Sequence, residues 1–113
     1  MALYDQLPVY KASYDLLVAI FGFSRSFTRE YKYTIGEKLK SETVDMITNI
    51  YRANCRGDKK DLLQRARENI EVVRLYMRLL RDLNQVSIRN FVEVNEQIEN
   101  VSKQLAGWHK SVE

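Results

Sequence analysis

The stretch Asp58–Leu83, DKKDLLQRARENIEVVRLYMRLLRDL, decides the fold. It contains no Gly or Pro, and Asp58 followed by Asp61 offers an N-cap and an acidic first turn. Leu63, Ala66, Ile70, Val73, Met77 and Leu80 recur at spacings of three and four, which is one apolar seam along an α-helix. A second seam, shifted by one residue, runs through Leu62, Val72, Tyr76, Leu79 and Leu83 and is broken by Asn69. Arg67, Arg74, Arg78 and Arg81 share a third face, with Glu71 among them. A solitary bundle needs one greasy surface per helix, so this helix is expected to carry surplus.

Working outward, the preceding segments repeat the pattern. Pro8 suits a first helical turn, where its missing N–H costs nothing. Val9, Ser13, Leu16, Ile20, Phe23 and Phe27 form a stripe, with Tyr10, Tyr14, Leu17 and Phe21 as a second strip beside it. Gly22 is tolerable there if a neighbouring backbone packs closely. Residues 25–33 read as helix end and connection. Thr34 and Glu37 have the spacing of a capping box. Ile35, Leu39, Thr43, Met46, Ile50 and Ala53 then point inward, with Val44, Ile47 and Tyr51 thickening that face. Gly57 is a natural left-handed C′ residue for this helix.

On the C-terminal side, Asn84–Ser87 ends the central helix and Ser87 can cap the next. Phe91, Val94, Ile98, Val101, Leu105 and Trp108 repeat with heptad spacing. Gly107-Trp108 reads as the close-packed end of that helix. No β-alternation or tandem repeat interrupts the series. The expectation is an all-α, antiparallel up-down-up-down four-helix bundle in one domain, with helices at about 8–28, 35–54, 59–84 and 88–110. At 113 residues the chain is long enough for a core without staples.

Composition narrows the function. Hydrophobic residues make up 45%, against one Pro and four Gly, which argues against disorder. No apolar run has the length of a membrane span, and MALYDQLP lacks the basic and apolar regions of a signal peptide. A single cysteine, Cys55, forbids an intrachain disulfide and fits a reducing, cytoplasmic setting. The net charge of +3 is concentrated in residues 56–84, with eight Lys or Arg against five Asp or Glu. Such a bias favours an anionic partner modestly.

Catalytic chemistry finds little support. The one histidine, His109, reads as a partly exposed terminal residue with no Cys or second His at ligand spacing. No Glu-x-x-His pair of a di-iron bundle and no Gly-rich phosphate loop is present. No cofactor or metal is expected, and the chain is read as a non-enzyme. The arginine face has two readings: a solvated face with Glu71–Arg74 and Arg78–Asp82 pairs, or a basic strip for phosphates or an acidic protein. Tyr31, Lys32 and Tyr33 could add stacking against single strands. The double seams also have two readings, a wide core or self-assembly through the surplus faces. Tyr10, Tyr14, Leu17 and Phe21, with Tyr76 and Leu79, are the candidate contacts between copies.

Phe27, Tyr33-Thr34-Ile35-Gly36-Glu37, Arg74-Leu75, Arg78-Leu79 with Asp82-Leu83, Ser87, and Leu105-Ala106-Gly107-Trp108 with Lys110 carry a family resemblance. In this order and spacing the chain resembles the accessory variability determinant (Avd) proteins of diversity-generating retroelements. These are relatives of the four-helix-bundle proteins encoded in 23S rRNA intervening sequences. The resemblance implies a barrel-like homopentamer and a non-enzymatic partner of the element's reverse transcriptase in mutagenic retrohoming. It also implies a basic surface that meets the polymerase and nucleic acid, carried onto Arg74 and Arg78; Arg67 and Arg81 extend it by face geometry. With a charge of only +3, RNA or DNA binding is expected to be weak to moderate and salt-dependent. The alternative is an intervening-sequence-type bundle oligomer with an RNA-contact or purely structural role.

Overall fold

The computed structural model describes residues 6–112. The expectation for the N-terminal MALYD lies outside them. Five helical elements follow one another: α1 (Pro8–Ser24), the single turn α2 (Arg29–Lys32), α3 (Ile35–Cys55), α4 (Lys60–Asp82) and α5 (Ile88–Ser111). No strand occurs among the described residues. The four long helices pack in a ring, α1 beside α3 and α5, and α4 beside the same two. Cross-helix contacts give the direction: Arg67, Arg74 and Arg81 ascend α4 while their partners His109, Glu99 and Phe91 descend α5. The neighbours are antiparallel, as the short connections 56–59 and 83–87 require.

Every inward seam read from the spacing lines the core. Val9, Leu16 and Ile20 of α1 meet Leu39, Met46 and Ile50 of α3, the whole Leu63–Leu80 seam of α4, and Val94, Ile98, Val101 and Leu105 of α5. Phe91 and Trp108 close the two ends as half-buried side chains packed on that core.

The helix ends differ from expectation in ways that have local causes. α1 stops at Ser24, four residues short of the expected end. Ser24 and Ser26 donate to the carbonyls of Phe21 and Phe23, satisfying the last turn. The chain then bends so that Phe27 is buried, its ring 5.9 Å from that of Phe23. Thr34 does not form the capping box, because its hydroxyl donates to the Glu30 carbonyl at 2.7 Å and so finishes α2. Gly36 is the close approach: a Cβ there would sit 3.1 Å from the Tyr31 carbonyl oxygen and 3.3 Å from the Phe27 ring. Around Gly107, expected at a close-packed helix end, a Cβ would meet nothing within 4 Å, and the same holds at Gly22, so no close neighbour accounts for that glycine.

Gly57 is not left-handed. The ammonium of Lys59 donates to the carbonyls of Ala53 and Arg56, so the end of α3 needs no Schellman turn. α4 begins at Lys60, with Lys59 as N-cap and Asp58 accepting from the Lys60 N–H at 3.4 Å. The left-handed residue is Asn84, with φ 59°. Gln85 N–H reaches Leu80 O at 2.8 Å and Asn84 N–H reaches Arg81 O at 3.0 Å, the paired bonds of a Schellman ending. Ser87 caps α5 as expected, accepting from the Asn90 N–H at 3.0 Å.

Candidate partner-binding faces

Four of the five arginines of α4, Arg67, Arg74, Arg78 and Arg81, share the face toward α5, and three of them lean across the seam between the helices. Arg67 donates to Nδ1 of His109 at 2.8 Å. Arg74 pairs with Glu71 of its own helix at 3.2 Å and with Glu99 of α5. Arg81 sits 4.7 Å above the Phe91 ring and pairs with Asp82 at 3.2 Å. Asp82 is thus taken by Arg81 rather than by Arg78. Arg78 is exposed and has no side-chain partner among the described residues. Of the row, it is the guanidinium directly available to an incoming anion.

His109 is only 7% exposed, so it is a core residue and not the partly exposed terminus expected. It occupies the inward position four residues beyond Leu105, a spacing that the seam ending at Trp108 passed over. A guanidinium only donates, so Nδ1 accepts and the ring proton is on Nε2. That Nε2 is buried without a partner among the described residues. Cys55 is a free, exposed thiol at the end of α3. Among the described residues no three His, Cys, Asp or Glu side chains are grouped to hold a metal ion, and no helix is long and apolar enough to cross a membrane.

The second seam of α4 is largely used inside the bundle itself. Leu62 is buried, and Val72, Tyr76 and Leu83 are half-buried, Tyr76 against the core. Asn69, which interrupts that seam, accepts from Asn49 at 2.9 Å and donates to Glu42, forming a polar tie between α3 and α4. What remains outside on α4 is Leu79 together with Leu75, four residues before it. Ile88 and Val92 are exposed at the matching end of α5. The arginine row runs between these two apolar pairs.

On the opposite side of the ring, α1 and α3 expose a second apolar face. Tyr14, Val18 and Phe21 are exposed on α1, and Val44 and Tyr51 on α3. Tyr14 stacks on Tyr10 with centroids 6.5 Å apart. Lys40 lies 4.8 Å over the Phe21 ring, which places the Lys40–Val44–Tyr51 strip beside the α1 strip. Tyr10 and Leu17 are half-buried at its inner edge. Val44 and Tyr51, expected to thicken the apolar face of α3, lie at its exposed edge, whereas Ile47 is half-buried. Val18, Leu75, Ile88 and Val92 also belong to these faces, although they lie outside the seams read from the spacing. For Val18 and Leu75 the signal was present as an i,i+4 apolar neighbour of Tyr14 and Leu79.

The fold so described is a ring-packed antiparallel four-helix bundle with two apolar flanks left uncovered. A family model described as bAvd-like matches residues 7–112, nearly the whole chain, and the protein belongs to that family. No curated protein matches the sequence.

Proposed function

We propose that this bAvd-like bundle is a non-enzymatic accessory protein of a diversity-generating retroelement. In this reading copies join into a closed ring, which binds the element's reverse transcriptase and its RNA or cDNA in the cytoplasm. The observation that carries the assembly is the pair of exposed apolar faces on opposite sides of a bundle whose core is already complete. The α1/α3 face and the α4/α5 face differ in composition, so a copy on one face leaves the other free for the next copy. Head-to-tail joining of unlike faces closes into a ring or runs on as a filament. The family resemblance favours a ring of five.

Arg78 is the residue assigned to the polymerase or its nucleic acid, since it carries an unneutralised charge beside Leu75 and Leu79. Arg67, Arg74 and Arg81 support it by fastening α4 to α5, and they add field at the same flank. Light scattering tests the assembly, because a particle several times 13.4 kDa is expected and a stable monomer at micromolar concentration overturns it. Co-purification with the cognate reverse transcriptase tests the partner; failure of the intact protein to capture the polymerase overturns the accessory role.

A further inference from the structure

A third surface lies at the end of the bundle where α1 passes through α2 into α3 and α4 turns into α5. The single turn of α2 places Arg29, Lys32 and Tyr33 on one side, at spacings of three and four. Tyr33 closes that turn, its N–H on the Arg29 carbonyl. Its side chain is 63% exposed, second only to Ile88 at 79% among the exposed large hydrophobic residues. The two belong to the two segments that Thr28 N–H joins to Gln85 Oε1 at 2.8 Å.

The backbone beneath Tyr33 is fixed. Phe27 is buried under the turn, Gly36 lets the Tyr31 carbonyl lie against α3, and Thr34 locks onto Glu30. Residues 25–34 hold three cations, Arg25, Arg29 and Lys32, against one carboxylate, Glu30. Neither Arg29 nor Lys32 has a side-chain partner among the described residues. A solvent-held aromatic ring within one turn of two unneutralised cations matches a nucleotide with an unstacked base: the ring takes the base face and the cations take the flanking phosphates. A duplex hides its base faces and offers phosphates, 2′-hydroxyls and groove edges, none of which an aromatic ring can stack on.

We infer that Tyr33, flanked by Arg29 and Lys32, is a stacking platform for single-stranded RNA. This rests on the nucleic-acid part of the proposed function, and adds a contact distinct from the arginine row of α4. The test is fluorescence anisotropy with a labelled single-stranded RNA of about 12 nucleotides, within the range such sites span, and the same sequence as a duplex. Tyr33→Ala is expected to weaken single-strand binding roughly five- to a hundredfold, the equivalent of one lost base stack. Tyr33→Phe, which keeps the ring, should bind like the parent, and duplex affinity should respond to neither change. Arg29→Ala with Lys32→Ala should flatten the slope of log affinity against log salt by about 1.4, two phosphate contacts on a single strand.

Unchanged single-strand affinity in Tyr33→Ala, an equal loss on duplex, or no RNA affinity in the parent overturns the platform. Polymerase capture measured on the same preparations separates the two ideas. Capture by the parent with Tyr33→Ala silent on RNA sinks the platform alone; no capture by the parent sinks the accessory role. If Tyr33→Ala loses polymerase but keeps RNA, the ring belongs to a protein contact and the inference is wrong.

Discussion

Arg67 of α4 donates to Nδ1 of His109 on α5 at 2.8 Å, across the seam and at the edge of the core. Arg67 is half-buried and His109 almost wholly buried, so the bond joins the start of α4 to the end of α5 in a poorly hydrated position. Removing one partner strands the other. Arg67→Ala is expected to lower unfolding stability by about 1–3 kcal/mol, the cost of a buried acceptor left unmade. Replacing both residues, Arg67→Met with His109→Leu, should restore much of that loss, since an apolar pair of similar shape leaves nothing unsatisfied. Urea denaturation of Arg67→Met, of His109→Leu and of the double variant checks the coupling. Strictly additive losses would show that the two side chains do not depend on each other.

The glycines give opposite signs for the same substitution. Gly107 and Gly22 are exposed helical positions where a Cβ meets nothing, so Gly107→Ala and Gly22→Ala should each stabilise by about 0.5–1 kcal/mol. At Gly36 the new methyl would press on the Tyr31 carbonyl, a backbone atom, and on the Phe27 ring. Overpacking of about 1–3 kcal/mol outweighs the gain in helix propensity, leaving a net loss of up to about 2 kcal/mol. Thermal unfolding of the three variants distinguishes the cases by the direction of the shift in Tm.

The inward seams were legible because a bundle core imposes a three/four spacing that loops and strands do not share. Leu63 to Leu80 and Val94 to Leu105 needed nothing but periodicity. What periodicity could not give was the use of the flanks. Tyr76 and Val72 are half-buried on the flank that Asn69 ties to α3, whereas Val44 and Tyr51 are exposed at the α1 boundary. Which flank is covered depends on which helix lies beside it, and that is a tertiary fact. The arginine row illustrates the same limit. Four guanidinium groups share one face by spacing, but only the position of α5 decides that three of them are engaged and Arg78 is not. His109 escaped because the seam can be continued from Leu105 either by three residues to Trp108 or by four to His109, and spacing alone does not choose between them.

If the two apolar faces meet between copies, a charge in either should disperse the assembly without unfolding the bundle. Phe21→Lys on the α1/α3 face and Leu79→Lys on the α4/α5 face both change side chains already open to solvent, so far-UV circular dichroism should keep its helical amplitude. Light scattering should move each toward 13.4 kDa. A mixture of the two variants should form heterodimers and go no further, because each retains one intact face. Unaltered mass in both variants would place the interface elsewhere.

Arg74 and Arg78 lie one turn apart on the same flank, yet their surroundings assign them different consequences. Arg74 is held between Glu71 and Glu99, so Arg74→Glu would gather three carboxylates at one point of the α4–α5 seam. A loss of about 1–2 kcal/mol is expected from two broken pairs and the new repulsion, and any loss of polymerase capture in that variant would be mixed with instability. Arg78 has no such partners, so Arg78→Glu should alter stability by less than about 0.5 kcal/mol. Capture of the reverse transcriptase should nevertheless fall, and the residual binding should depend less on salt, as for a lost charge at an interface rim. Parallel pull-down and denaturation of the two variants separates fastening from contact. Capture that survives Arg78→Glu would mean that the polymerase approaches by another face.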